Sequence, residues 1–308
     1  CQSDISRCTN CGNNTRDSGE ICDGEDLGGQ TCRTLGCRSN NSPSCNETCN
    51  GILLTSCLSN HNEDDDRDLS NQAIDDNCDN CPSVSNNTQS NGDRDEIGDA
   101  CEHPNKPNFV SRIIYFEPFV QDPPGWNSIN GSWSHQPSDD TMQGTIDADV
   151  ASYLYNTATS TQYAVEVNFY FQNDSSTTLN PQAGVIFAYN THNNTLYRAY
   201  RCVFNRSNNK LQLMRYTTYN NWGWQEKAFQ TISNPVAATS LHTIRAFAFR
   251  DSNDNRNHVI CQYVDANHST GVLTPEFDDS YSFILNAPAG LTVENDTAVF
   301  TSYVYYDN

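Results

Sequence analysis

The chain has 308 residues, 36% of them hydrophobic, and its 38 acidic side chains outnumber 17 basic ones to give a formal net charge of −21. Nucleic-acid binding rests on Lys and Arg neutralising phosphates, so this balance excludes it, and no apolar run of eighteen residues is present to cross a membrane as a helix. What remains is an extracellular protein, or one that holds cations, long enough for one sizeable core and smaller modules.

Residues 1–60 form a head rich in Cys, Gly and Asn. Fourteen cysteines are present, twelve of them between Cys1 and Cys101. That density reads as a disulfide framework built in an oxidising compartment, and so as a secreted or cell-surface protein. Zinc is the rival, since Cys8–Cys11 and Cys78–Cys81 have C-x2-C spacing, but they lie far apart and no His sits at companion spacing. Cys1 suits either a disulfide or the lipidated cysteine of a bacterial lipoprotein. The disulfide is favoured, because Cys1, Cys8, Cys11, Cys22, Cys32, Cys37, Cys45, Cys49, Cys57 and Cys78 then pair evenly, with a connectivity the sequence leaves open.

Residues 61–103 are acidic. In SNGDRDEIGDACE (90–102) oxygens recur at the alternate positions that point at one calcium ion: Asn91, Asp93, Asp95, the Ile97 carbonyl, Asp99 and Glu102 take places 1, 3, 5, 7, 9 and 12 of a coordinating loop. Glu96 stands at place 6, where glycine is usual. A weaker second register runs through Asp68, Ser70, Gln72, the Ile74 carbonyl, Asp76 and Asp79, with NEDDD (62–66) as an alternative. In the head, Asp23, Glu25 and Asp26 suit turn formation better than a further ion.

PNKP makes residues 104–108 a stiff linker. From 109 to 308 apolar and polar residues alternate in short runs separated by Asn, Gly, Ser, Asp and Pro. SRIIYFEPF, ASYLYNT, QYAVEVNFYF, AGVIFAYN, LYRAYRCVF, KLQLMRYTTY, LHTIRAFAF, HVICQYVD, YSFILNA, AGLTVEN and AVFTSYVYY each read as a strand. So many strands without a long helical stretch predict an all-β fold, an antiparallel two-sheet sandwich.

Three resemblances follow from these pieces. DNCPSVSNNTQSNGDRDEIGDAC is similar to a thrombospondin type 3 repeat over about 64–102, in which calcium and disulfides replace an apolar core. That resemblance implies a Cys81–Cys101 bridge and Asn86 as an extra ligand. CGN, GEICDGEDLGGQTC and CNETC (8–57) resemble the short cysteine-rich repeat of secreted myxobacterial proteins, with Cys37 additional to its spacing. GWNSINGSWSH, AGVIFAYNTHNNTLYRAYRCVFNRSNNKLQLMRY, HVICQYVDA and AVFTSYVYYDN resemble concanavalin-like (laminin-G, pentraxin-like) sandwiches. This last resemblance suggests that Cys202 and Cys261, each inside a strand, form a bridge; two buried thiols are the alternative.

Candidate functional residues are few. Sandwiches of this shape that hydrolyse glycans need a close carboxylate pair, commonly E-x-D-x-E, and none is present. Glu166 stands alone and reads as an outward-facing strand residue; no nucleophile, metalloprotease or phosphate-loop motif occurs. The expectation is a non-enzymatic protein. Trp222 and Trp224, in a hairpin with Tyr219, are candidates for stacking on sugars, whereas Trp126 and Trp133 belong to the core. Ten N-x-[ST] sequons make Asn13, Asn40, Asn46, Asn86, Asn130, Asn173, Asn193, Asn205, Asn267 and Asn295 candidate glycan acceptors, in a composition where Asn, Ser and Thr are all abundant. The leading expectation is an extracellular structural or adhesive glycoprotein stabilised by calcium and disulfides. It would be the subunit of a surface fibril whose copies join head to tail. The alternative is a secreted carbohydrate-binding protein with extracellular glycans or proteins as partners.

Overall fold

The computed structural model describes residues 11–32, 35, 37, 41–57, 78–93, 95–106, 109–155, 160–173, 180–192, 195–218, 223–268, 271–280 and 285–308. They fall into two compact units, Cys1–Cys101 and Glu102–Asn308.

The first unit has little apolar core and is stapled. Among its described residues one pair of strands, β1 (Ser44–Cys45) and β2 (Ile52–Leu53), is antiparallel. Bridges join Cys11 to Cys49, Cys22 to Cys45, Cys32 to Cys57, Cys37 to Cys78 and Cys81 to Cys101. The Cys37 that was surplus to the repeat's spacing thus closes on Cys78. Charge does the work elsewhere packed by hydrocarbon. The fully buried Asp23 carboxylate accepts hydrogen bonds from the Gly12, Asn13 and Asn14 amides, and Asp26 accepts from the Arg16 and Gly28 amides. Both side chains are therefore spent on turns, as their reading as turn formers anticipates.

The second unit is an antiparallel β-sandwich with no α-helix among the described residues. Its strands are β3 (Arg112–Glu117), β4 (Trp126–Asn130), β5 (Ser132–Gln136), β6 (Thr141–Tyr155), β7 (Gln162–Phe171), β8 (Gln182–His192), β9 (Thr195–Asn205), β10 (Lys210–Thr217), β11 (Gly223–Thr231), β12 (His242–Arg250), β13 (Asn257–Val264), β14 (Val272–Leu273), β15 (Phe277–Asp279) and β16 (Ala289–Asp307). The first layer runs β11-β10-β9-β8 and continues through the start of β16 and the end of β6 to β4. The second runs from β5 and the start of β6 through the end of β16, with β3 also on β16, to β7, β12, β13 and the short β14 and β15. β6 and β16 stay paired while passing from one layer to the other, and their register shifts between Glu294 and Asp296. There Asn295 adopts a left-handed φ of 55°. AGLTVEN and AVFTSYVYY, read as two strands, are therefore one. Of YSFILNA, residues 281–284 lie outside the described residues, and Leu285–Ala287 is not strand.

Period-two alternation places Val165, Val167 and Phe169 of β7, Tyr200, Cys202 and Phe204 of β9, and Tyr303 and Tyr305 of β16 between the layers. Each buried aromatic contributes about 1.5–3 kcal/mol. Trp126 lies in this core, and Trp133 packs against it and stacks on Tyr153. The Cys202–Cys261 bridge ties β9 in one layer to β13 in the other. Gly184 and Gly290 are required by close approach: a Cβ would stand 2.2 Å from the Cys202 carbonyl at the first and 2.0 Å from the Tyr153 carbonyl at the second.

Glu166 is not solvated. It points away from the core but is fully buried, paired with Arg245 directly opposite on β12 and hydrogen-bonded by the Tyr306 hydroxyl. Pro104–Lys106, read as linker, closes a turn between His103 and Lys106. Phe109 then packs edge-on against Phe247 and Phe249 of β12.

The 59-residue loop closed by Cys202 and Cys261 sets a measurable expectation. The double variant Cys202→Ala, Cys261→Ala should lose about 3–4 kcal/mol of sandwich stability, read as a lower urea midpoint. An unchanged midpoint would show that the bridge adds nothing.

Candidate functional site

The acidic loop is built outward from Cys81–Cys101. Gly98 donates its amide to the Asn80 carbonyl, and a Cβ there would stand 2.2 Å from Asn80 Oδ1 and 2.8 Å from the bridged Cys81 Sγ, so any larger residue would have to displace them. Asp79, the last place of the second register, accepts at its Oδ1 from the Cys81 amide and from Gln89 Nε2. Asn86 bonds to Asn80 and Gln89. These amides form a cross-braced platform beneath the loop.

On that platform Asp93, Asp95 and Glu102, places 3, 5 and 12, each bring one carboxylate oxygen within 4.8 Å of the others. Asp95 Oδ1 accepts from the Ile97 amide at 2.6 Å, whereas its Oδ2 is buried without a hydrogen-bond donor. Burial, together with repulsion from Asp93, Glu96 and Asp99, pushes the Asp95 carboxyl up to about 6 against the opposing Ile97 hydrogen bond. Asp99 is turned instead to the Gly92 amide, and Asn91 donates its side-chain Nδ2 to the Asp95 carbonyl. Ile97 is buried and Glu96 exposed. Three of the six expected ligand positions are thus brought together, with an orphaned buried oxygen among them. Asp68, Ser70, Gln72, Ile74 and Asp76 lie outside the described residues.

A second arrangement lies on the outer face of the first sandwich layer. Residues that alternate away from the core gather there: Leu154, Ile186, Tyr189 and Ala199, with Leu196, Tyr216 and Trp224 packed against them. Tyr216 is directly opposite Trp224 and meets it edge-on at 5.4 Å between ring centroids. The Arg201 guanidinium sits 4.1 Å over the indole and donates to Glu294 at 2.7 Å. Glu226, exposed, accepts from Gln212 beside them. Trp224 is half-exposed, so its ring belongs neither to the core nor wholly to solvent. Trp222 and Tyr219 lie outside the described residues. Tyr216, Arg201 and Glu294 went unread because their meeting depends on pairing four strands; the alternation of KLQLMRYT shows only that Gln212, Met214 and Tyr216 share a face.

Among the sequons, Asn13, Asn130, Asn173 and Asn267 are exposed and Asn46, Asn86 and Asn295 half-buried. Asn205 is 2% exposed and its Oδ1 accepts from the Ser207 amide, which leaves no room for a glycan on the folded chain. Asn40 and Asn193 lie outside the described residues.

No family model matches the chain, and no curated protein matches it. Solved structures do. A Bacillus subtilis protein of unknown function with a galectin-like fold is 12% identical, covering 64% of this chain and 97% of that one at a TM-score of 0.43. The exoplasmic/lumenal domain of VIP36, in a Ca2+/Man3GlcNAc-bound form, is 9% identical over 60% of this chain and 87% of its own, also at 0.43. The Lotus tetragonolobus seed lectin is 9% identical, covering 63% and 99% at 0.42. At that distance only the class of fold is in common.

The raised Asp95 carboxyl predicts the ion-free loop's response to pH. A carboxylate whose folded pKa lies above its unfolded value of 3.8 favours the protonated fold, so chelator-treated loop should loosen as pH rises from about 4 to about 6. Carboxyl-carbon NMR should place the Asp95 midpoint near 6; a midpoint at or below 4 would contradict the burial.

Proposed function

We propose that the chain is a disulfide-rich extracellular protein whose sandwich binds carbohydrate and whose acidic loop holds calcium. One observation carries the sugar reading: a half-exposed indole on the outer face of a sheet, flanked by Tyr216 and with Arg201 and Glu226 beside it. Sugars present apolar C–H faces rimmed by hydroxyls, and an aromatic ring edged by charged and amide groups complements both features. Carbohydrate binding is inferred from these side chains, not from the distant fold likeness. It replaces the fibril subunit as the leading reading, because nothing on the described surface favours head-to-tail joining.

Calcium is supported by the donor set. Carboxylates that crowd one another, one with a buried oxygen lacking a donor, suit a hard cation that takes only oxygens. Asp93, Asp95 and Glu102 would hold the ion. When bound, it would supply the positive charge that the loop lacks, and the loop would stay ordered without an apolar core. Secretion is supported by the six bridges among the described residues and by the absence there of a free cysteine.

The sugar reading is tested by titration calorimetry against neutral, N-acetylated and uronic-acid oligosaccharides. Trp224→Ala should weaken binding about tenfold, the worth of one lost aromatic contact, while Phe229→Ala on the same strand should not. Failure of every sugar to bind, or wild-type affinity in the tryptophan variant, would refute it. The calcium reading is tested by proteolysis. Chelation should expose residues 78–102 to cleavage and spare the sandwich, and Asp95→Asn should do the same with calcium present. Identical digestion with and without chelator counts against it.

A further inference from the structure

His258 begins the edge of the second layer with carboxylates on both sides of its ring. Nδ1 lies 2.7 Å from Glu276 and 2.9 Å from Asp278, at β15, and Nε2 lies 3.3 Å from Asp254 in the β12–β13 turn. Asp251 brings another carboxylate oxygen within 4.8 Å of Asp254 and His258. The ring is mostly buried and stacks on Phe249 of β12 at 4.8 Å and 15°. Phe249 in turn carries two residues that precede β3: Lys106 Nζ stands 4.2 Å over its ring and 3.6 Å from Glu276, and Phe109 meets it edge-on. Three pieces of chain distant in sequence therefore converge on one imidazole.

The charges facing His258 are four carboxylates, with Lys106 paired to Glu276 and Arg256 acting on Asp254. A neutral imidazole offers one donor and one acceptor. It can satisfy a carboxylate on one side only and turns a lone pair towards the carboxylate on the other. A protonated imidazole donates to both.

We propose that His258 is a pH-operated clasp: protonated, it holds the β12–β13 turn, β15, Lys106 and Phe109 together at the sheet edge, and on losing its proton it lets that edge open. The sign follows from its surroundings. Burial alone would lower the imidazole, but hydrogen bonds to Glu276 and Asp254 and the charges of Asp278 and Glu276 override it and raise it above 6.5. A base with a raised folded value stabilises fully below its ordinary value and loses that contribution as pH climbs through the raised one. The clasp therefore closes at low pH and opens as pH climbs through the raised value. His103, at the far end of the same aromatic row against Phe247, is pushed the other way by burial and does not titrate in this window. The Asp95 carboxyl, near 6, lies below it.

Hydrogen exchange of the full chain, in saturating calcium and corrected for the intrinsic rate, tests this between pH 6.5 and 9.5. Peptides covering 103–109, 251–259 and 272–279 should lose protection as pH rises, the opening equilibrium growing by about tenfold for each unit of pKa shift. His258→Gln should remove that dependence. A flat wild-type profile, or an unchanged rise in His258→Gln, would overturn the clasp. If His258→Gln does not fold, imidazole NMR decides. The wild-type His258 midpoint should lie above 6.5 and fall in Glu276→Gln, and a midpoint at or below 6.5, or one unmoved by that variant, rejects the proposal.

Discussion

Everything in the larger unit hangs on the partnership of β6 and β16. β16 pairs with β8 in one layer and β7 in the other, and β6 lies against it in both. A sandwich normally joins its layers by side-chain packing and loops; here a continuous backbone ladder runs from one to the other. The outer-face groups inherit their positions from it. Glu294, which receives Arg201, precedes the corner, and Tyr306, which reaches Glu166, follows it. Apolar cluster and buried ion pair are thus indexed to one strand.

The two units solve the same entropic problem by different physics. The sandwich offsets chain ordering with a core of Phe, Tyr and Val. The first unit is too poor in apolar residues for that. It limits the freedom of its unfolded chain with bridges and satisfies its turns with Asp23, Asp26 and a lattice of Asn and Gln amides. Its negative charge is then not incidental: the groups that would repel one another in an open chain serve as acceptors for backbone amides.

Where period-two alternation was strong the strands could be read directly, as in QYAVEVNFYF and HVICQYVD. β4, β5 and β11 were not legible, because WNSIN, SWSHQ and GWQEKAFQT are polar edge strands with little apolar contrast. The corner of β16 misled for a related reason: VENDTAV is polar where the strand leaves the core between layers, and polarity there marks a bulge, not a loop. Glu166 and Arg245 carried an unused clue. Each is a single charge inside a run apolar on both sides, and two such runs imply that the charges meet. The meeting of Asp93, Asp95 and Glu102 was legible because the three are close in sequence. The tryptophan face was not, because Arg201, Tyr216 and Glu294 come together only after four strands have paired.

The bridges of the first unit have a consequence for how damage would be recorded. Cys37–Cys78 closes a loop of 41 residues and Cys81–Cys101 one of 20, so the acidic stretch lies within covalent rings. A single scission inside either ring changes neither the mass of the chain, save for one water, nor the connection of its parts. Such a molecule would keep its sandwich and travel as one piece, the break becoming visible only on reduction. A loop held this way can be cut without being lost, and the chain would carry an internal record of the cut that only reduction reveals.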